Sequence, residues 1–512
     1  MKKTILLLSA VIWSCTMAFA QTAHPTKCGM QKKHAAMIAK HPEYAQFLKD
    51  QKASLQPAAD FYKQYKMQGS EERTTAISAV PIIFHIVVDS AQFNDMGGTA
   101  GIIKRCDSQI AVLNHDYNQE NSDSVLIPSG WKTLYSNVGI HFGLARVDPS
   151  GNCSPGYEVK IIAGTTTADA GFDVENETSP LEKTAGTGLA AWDNTKYYNV
   201  WCVNYTGGST DLLGITTAKS DVTGGWAASG EMGVDILYNT LGSTGPTGSD
   251  PGTGSWFTPY NLGRTLTHET GHFFEIWHPW GDDGPYGGAP YYPGDGYCPW
   301  SGVTACSAAD TVIGADDGLD DTPPESQAVY GSPTYTIAGG TYNDCCNMHG
   351  SVNTQPIGIA CLSYMDYTDD GAMHMFTTDQ ANAMASMVLV PAGSATGATG
   401  YGTIGENYNL TQNPSLLIAC TSTGVAPSPT ELKSSLSVYP NPTSGEINIS
   451  VNSQAETLNN IVVVNLLGQQ VAVINGQNKD YYSIDLSGLS KGIYFVKCNF
   501  ASGSVTRKIL LQ

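Results

Sequence analysis

Apolar and polar positions change rhythm several times along the chain. A first apolar stretch, 5–13, follows Lys2 and Lys3 and precedes Ala18-Phe19-Ala20, the pattern of a secretory signal over 1–20 cleaved after Ala20. Residues 21–77 are polar and rich in Lys, Gln and Ala, with helical spacing over 31–55. They close on Glu71-Glu72-Arg73-Thr74, a sequence suited to proteolytic removal at Arg73, so the segment reads as a propeptide rather than as core. At residue 80 the pattern switches to a continuous apolar run, 80–88, expected to be a buried strand. An amphipathic helix over 102–117 follows, then strands over 140–145, 198–203 and 234–238. Strand, helix and strands predict an α/β sheet with helices packed behind it, in a domain over 78–420.

Residues 281–360 show little periodicity and many turn residues, and a connection this long is expected to be functional or held by ions and disulfides. Residues 421–432 have the Ser/Thr/Pro/Gly composition of a linker. Beyond it, short strands at 436–439, 446–451, 460–465, 482–486, 492–497 and 506–511 predict a small all-β, Ig-like sandwich over 433–512.

Composition narrows the function classes. The formal net charge is −20 and the pI about 4.8, which argues against nucleic acid as a partner, because phosphate contacts need clustered Lys and Arg. No stretch after the signal approaches the roughly 18 apolar residues of a membrane span. Removing Cys15 with the signal leaves 11 of 12 cysteines, an odd number in a compartment where pairing is expected. Cys28, isolated in Lys27-Cys28-Gly29, is the one set apart for a separate task. The other ten, Cys106, Cys153, Cys202, Cys298, Cys306, Cys345, Cys346, Cys361, Cys420 and Cys498, are expected to form disulfides.

The segment His268-Glu269-Thr270-Gly271-His272-Phe273-Phe274-Glu275-Ile276-Trp277-His278 carries the chemistry. Two His four residues apart share one helical face and can share a metal, and Glu269 lies beside them to take a proton from a metal-bound water. Pro279 and the Gly- and Pro-rich run after it forbid a continuing helix, which makes His278 the third ligand rather than a residue from a second helix. Three nitrogen ligands plus a water form the open coordination of a hydrolytic zinc site. A structural histidine cluster is the alternative, set against the concentration in these eleven positions of three of the chain's 11 His.

These residues, with Leu262-Gly263-Arg264-Thr265-Leu266-Thr267 before them and Ser363-Tyr364-Met365-Asp366-Tyr367 after, resemble a pappalysin-family metzincin of the subgroup exported by Bacteroidetes. The resemblance covers about 80–395. It implies an α/β (α+β) metzincin-like catalytic domain with a zinc-binding active-site helix and a Met-turn at Met365. Tyr367 then matches the tyrosine that hydrogen-bonds the developing oxyanion. Asp316-Asp317-Gly318-Leu319-Asp320-Asp321-Thr322 resembles the family's calcium segment, with Asp317, Asp320 and Thr322 the best matches for a structural Ca²⁺. Glu275 departs from the Gly or Asn the family places where the helix ends, a position that favours a left-handed backbone. The segments Val438-Tyr439-Pro440-Asn441-Pro442, Leu467-Gly468-Gln469 and Gly492-Ile493-Tyr494-Phe495-Val496 resemble a type IX secretion sorting domain, which implies that machinery as a partner and a secreted or outer-surface location.

The implied activity is a secreted zinc endopeptidase acting on proteins or peptides, with Glu269 as general base and acid and the strand near 233–238 offering its edge to substrate. The Cys28 thiolate is expected to occupy the zinc's fourth position and keep the precursor latent; a disulfide to Cys106 or Cys153, or an unpaired bystander, is the alternative. Two other readings stay open: a zinc-stabilised, non-catalytic adhesin, against which Glu269 argues because holding zinc does not require it, and a surface protein whose C-terminal sandwich binds carbohydrate.

Overall fold

The computed structural model describes residues 26–68, 79–128, 131–162, 172, 180–206, 212–244, 256–282, 317–322, 328, 330–332, 361–392, 394, 404–418, 436–451, 458–465, 470–475, 481–500 and 504–512. The signal segment, Arg73, the linker, Cys298, Cys306, Cys345, Cys346 and Cys420 lie outside them.

The chain opens with a short strand, β1 (Thr26–Cys28), and two helices, α1 (Met30–Lys40) and α2 (Tyr44–Gln68). Strand β2 (Ala79–Val88) is buried along almost its whole length, as its unbroken apolar run requires when both faces are covered. Then come α3 (Ser90–Asp95), α4 (Gly98–Tyr117), β3 (His141–Leu144), β4 (Tyr157–Ile161), β5 (Tyr198–Val203), β6 (Leu212–Thr217), α5 (Lys219–Thr223) and β7 (Gly233–Leu237). Helices α6 (Arg264–Phe273) and α7 (Thr378–Val388) complete this part. The seven strands form one sheet ordered β1-β6-β7-β5-β2-β3, with β4 also paired to β2. Only β6 runs antiparallel to its neighbour β7; the remaining pairs are parallel.

Two expectations change here. The strand at 233–238 is not an edge, because β7 is paired on one side with β5 and on the other with β6. The free edge belongs to β6, and β1 occupies it in parallel register, Cys28 opposite Gly214. The segment expected to stand apart from the core also enters it. Tyr44, Phe47, Leu48, Leu55 and Ala59 of α2 are buried in the same apolar cluster as Phe84, Leu113, Phe274 and Met384. Each such large side chain contributes about 1.5–3 kcal/mol through its burial.

The C-terminal strands β8 (Leu436–Tyr439), β9 (Glu446–Val451), β10 (Leu458–Asn465), β11 (Gln470–Asn475), β12 (Tyr481–Asp485), β13 (Gly492–Phe500) and β14 (Ser504–Leu511) build two antiparallel sheets, β11-β10-β13-β14 and β12-β9-β8. Ile447, Ile449, Ile461, Val463, Val496 and Ile509 make their own core between them. The disulfide expectation is corrected for Cys106, Cys153, Cys202 and Cys498, which carry free thiols, as does Cys28, the one set apart from it. No helix among the described residues is long and apolar enough to cross a membrane.

Candidate metal centre

Helix α6 stops where the site needs it to stop. Glu275 adopts a left-handed backbone (φ 68°), and the chain reverses through two hydrogen bonds, Glu275 N to His272 O at 2.9 Å and Ile276 N to Gly271 O at 3.0 Å. A Glu in this conformation costs about 1–2 kcal/mol against Gly. Its buried side chain is engaged instead: Ser220 donates both its amide (3.0 Å) and its hydroxyl (2.7 Å), and Gln51 of α2 donates its side-chain amide. The reversal returns His278 to the face that carries His268 and His272.

The three imidazoles are buried and meet at their Nε2 atoms, 3.2 Å between His268 and His272, 3.0 Å between His272 and His278, and 3.2 Å between His268 and His278. Each Nδ1 faces an acceptor: the Tyr364 carbonyl at 2.7 Å for His268, the Ile276 carbonyl at 2.7 Å for His272, and Asp282 Oδ1 at 2.5 Å for His278. Those acceptors place the single proton of each neutral ring on Nδ1. Burial holds all three well below the usual imidazole value, so they stand neutral. Three Nε2 lone pairs therefore point at one another with no proton between them, an arrangement only a cation satisfies. Zinc–nitrogen bonds of about 2.0–2.1 Å at tetrahedral angles would set the nitrogens about 3.3 Å apart, close to what is found.

Cys28 completes the cluster. Its Sγ and the three His nitrogens all lie within 4.8 Å of one another, and among the described residues this is the one such group of His, Cys, Asp and Glu. The pairing of Cys28 with Gly214 and the bond from Gly29 N to Gly214 O (2.8 Å) hold it there. Glu269 is fully buried beside it, with Oε2 accepting from Thr216 Oγ1 at 2.7 Å. Its Oε1 has no hydrogen-bond partner at ordinary geometry, and the Cys28 thiol acts on the same carboxyl. Burial pushes the carboxyl up to about 8, against the pull of Thr216 and Cys28. Gly214 is what gives this carboxyl room: a Cβ there would lie 2.6 Å from Glu269 Cγ.

Below the helix, Met365 packs against Gly271, where a Cβ would lie 2.3 Å from its sulfur. Tyr367 is buried with its ring 4.9 Å from His278 and 5.9 Å from His268, and its hydroxyl donates to the Cys28 carbonyl at 3.0 Å. A network that composition did not reveal fixes this floor to α4. Arg264 binds Asp123 (2.5 and 2.9 Å) and Asp116 (3.4 Å), and Asp116 accepts from the Tyr364 hydroxyl at 2.9 Å, which anchors the residue whose carbonyl orients His268. Lys27, next to Cys28, is buried against Thr368 O (2.8 Å), with Asp370 3.9 Å away; burial lowers its ammonium to about 8.

The acidic turn contributes no residue to this cluster. Asp317 is buried and accepts from Leu319 N (3.0 Å) and Gln380 Nε2 (3.2 Å), Asp320 is exposed with its amide bonded to Gln56, and Thr322 is buried. Asp321, not among the expected ligands, caps α7 by accepting from Thr377 Oγ1 and Asp379 N.

Residues 437–512 match the Secretion system C-terminal sorting domain. An extracellular metalloprotease of Sordaria macrospora is 23% identical over 384 residues, covering 75% of this chain and 95% of that protein. An extracellular metalloprotease of Colletotrichum graminicola is 32% identical over 146 residues, 28% of this chain and 35% of that one. Among solved structures, Tannerella forsythia promirolysin is 25% identical with a TM-score of 0.49, covering 76% of this chain and 98% of that one. Mature mirolysin of the same organism, in complex with a cleaved peptide, is 27% identical with a TM-score of 0.46, covering 67% and 98%. The chain is an exported metallopeptidase, secreted or held at the cell surface, that carries its own C-terminal sorting domain.

Proposed function

We propose that the chain is a zinc endopeptidase of the metzincin type, pappalysin-like, made as a latent precursor. The convergence of three Nε2 lone pairs, each ring locked by an acceptor at Nδ1, carries this reading. His268, His272 and His278 would hold the ion, and zinc bound there supplies an acidified water and polarises the scissile carbonyl. Glu269 takes the water proton on Oε1 and delivers it to the leaving amine, while Thr216 holds Oε2 in place. Tyr367 donates to the carbonyl oxygen of the substrate, the place the Cys28 carbonyl takes in the precursor. The β6 edge, once β1 leaves it, pairs with the extended substrate backbone.

Latency follows from the same geometry. The Cys28 sulfur stands where the fourth ligand of the ion would be, and β1 fills the substrate edge. Removal of residues 21–77, by cleavage near Arg73, clears both at once. A structural Ca²⁺ near Asp317, Asp320 and Thr322 is supported by the Thr322 hydroxyl, which is buried with no hydrogen-bond partner, and is tested by the response of Tm to calcium.

Glu269→Gln is expected to keep one equivalent of zinc and to abolish casein cleavage, since it removes the base and leaves the ligands. Substantial residual cleavage would remove Glu269 from the mechanism, and zinc binding without cleavage by the unaltered, processed enzyme would favour the adhesin. Cys28→Ala precursor is expected to cleave casein before processing; a variant as latent as its parent would leave β1 alone as the block.

A further inference from the structure

Helix α2 lies along α7 in the precursor. Its buried positions Tyr44, Leu48, Gln51, Leu55 and Ala58 recur every three or four residues and form one stripe. At the near end, Gln51 donates its side-chain amide to Glu275, where α6 stops, and Tyr44 and Phe47 pack on Trp226 with ring centroids 5.0 and 5.9 Å away. At the far end, Ala58 packs with Val390 and Ile404. Cations flank the stripe. Lys63 lies 2.5 Å from Asp379, Lys66 donates to Asn382 Oδ1 at 3.4 Å, and the Lys52 ammonium stands 5.6 Å over the Trp277 ring. The two acids of the helix, Asp50 and Asp60, are exposed and accept from Gln46, Gln56 and Lys63 of α2 itself. Every charged group that α2 turns toward the catalytic domain in these contacts is therefore a cation. Removing residues 21–77 leaves an apolar trough along α7, from Trp226 and Trp277 to Val390 and Ile404, with Asp379 beside it.

We propose that this trough is a second substrate-binding surface of the processed enzyme, separate from the cleft, and that it takes an amphipathic, cationic helix of a protein substrate. The proposal rests on the metallopeptidase reading above and on the release of residues 21–77. A bare apolar face of this kind marks a binding surface, and helix-in-groove docking reads an apolar residue at every third or fourth position. Helix α2 shows what fits: that stripe, Lys on its flank and no acid facing the wall. The net charge of −20 over the whole chain favours the same sign of partner. The trough is also tied to the cleft. One segment sets Cys28 at the His cluster and Tyr44, sixteen residues later, at the near end of the trough. A substrate whose helix and extended stretch are separated by a similar length engages both surfaces at once. A helix that binds alone with a Kd on the order of 0.1 mM, presented at an effective concentration on the order of 1 mM, lowers KM about tenfold. The turnover step is left as it was, because none of these contacts involves Glu269, Tyr367 or the three His.

The full chain, zinc-loaded and freed of residues 21–77, is tested with quenched-fluorescent substrates that share one extended cleavable segment. One substrate is the segment alone. Others carry, across a Gly/Ser spacer of about fifteen residues on either side, a designed helix with the stripe and flanking Lys of α2 but otherwise different in sequence. In two control helices the Lys are changed to Glu, or two stripe positions to Asp. The Lys helix is expected to lower KM about tenfold at unchanged kcat, and to lower Kd equally in anisotropy titrations of the processed Glu269→Gln form, whereas both controls behave as the segment alone. A free peptide of residues 44–68, at saturation, is expected to abolish the gain and to leave cleavage of the short segment untouched. Asp379→Asn is expected to narrow the difference between Lys and Glu helices without changing the rate on the short segment. Equal KM for all substrates, a gain that survives the saturating peptide, or a dimer of the processed chain that this peptide dissociates, overturns the second surface. Helix-bearing substrates that bind in the expected order and are never cleaved would uphold the surface and overturn the peptidase reading instead.

Discussion

Gly214→Ala tests whether Glu269 works as the base, without altering any candidate ligand. A Cβ at 214 would stand 2.6 Å from Glu269 Cγ, 2.7 Å from Oε1 and 2.8 Å from Cδ. Ordinary contact begins near 3.4 Å, so the carboxylate must retreat by at least about 0.7 Å, and it cannot keep both that clearance and its 2.7 Å bond from Thr216. The His nitrogens are held by Tyr364 O, Ile276 O and Asp282, whereas the three atoms nearest the new methyl all belong to Glu269. A displacement of about 1 Å in a reacting group can cost on the order of a hundredfold in rate, or about 2.7 kcal/mol of barrier. The processed variant is therefore expected to bind zinc at one equivalent and to lose ten- to a hundredfold in kcat on a casein-derived peptide, with KM changed far less. Zinc content by plasma emission and initial rates decide it. Activity within a factor of three of the parent, at full zinc occupancy, would show that Glu269 either has slack or is not the base.

Other outcomes follow from the same geometry. Tyr367→Phe is expected to lower kcat by roughly one to three orders of magnitude with a smaller effect on KM; an unchanged kcat in steady-state kinetics would leave the ring as packing only. Glu275→Gly relieves the left-handed strain but removes the acceptor for Gln51 and Ser220, so the precursor should activate faster while the processed enzyme keeps its Tm within a few degrees; equal activation time courses on gels would count against the Gln51 bond as a latch. Burial would raise the Asp123 carboxyl, yet His374 and Arg264 hold it well below its unfolded value of 3.8. Its contribution is thus present above about pH 4 and lost as pH falls through the depressed value. Asp123→Asn should lower Tm at pH 7, and the gap should close as pH falls below 3; a gap that persists unchanged in calorimetry at acid pH would mean packing, not charge, sets it.

What the sequence determined by itself is local. The four-residue spacing of His268 and His272 can only mean one helical face, and the run 80–88 can only be a strand covered on both sides. The left-handed position at 275 was legible as a departure from Gly or Asn, and the backbone adopts it (φ 68°) in spite of the Glu side chain. The tertiary structure decided everything that depends on partners distant in the chain. Strand β6 carries no strong periodic signal, and its role as the edge comes from pairing antiparallel to β7 and accepting β1 from almost two hundred residues away. The α2 segment looks polar on average because one face carries Lys and Gln, while Tyr44, Leu48 and Leu55 on the other reach the main core. That Asp282 holds His278, that Asp116 ties Tyr364 to Arg264, and that Gly214 gives Glu269 its space are contacts between side chains that no local pattern encodes. Spacing along a helix fixes direction; close approach between separate elements is settled only when the whole core packs.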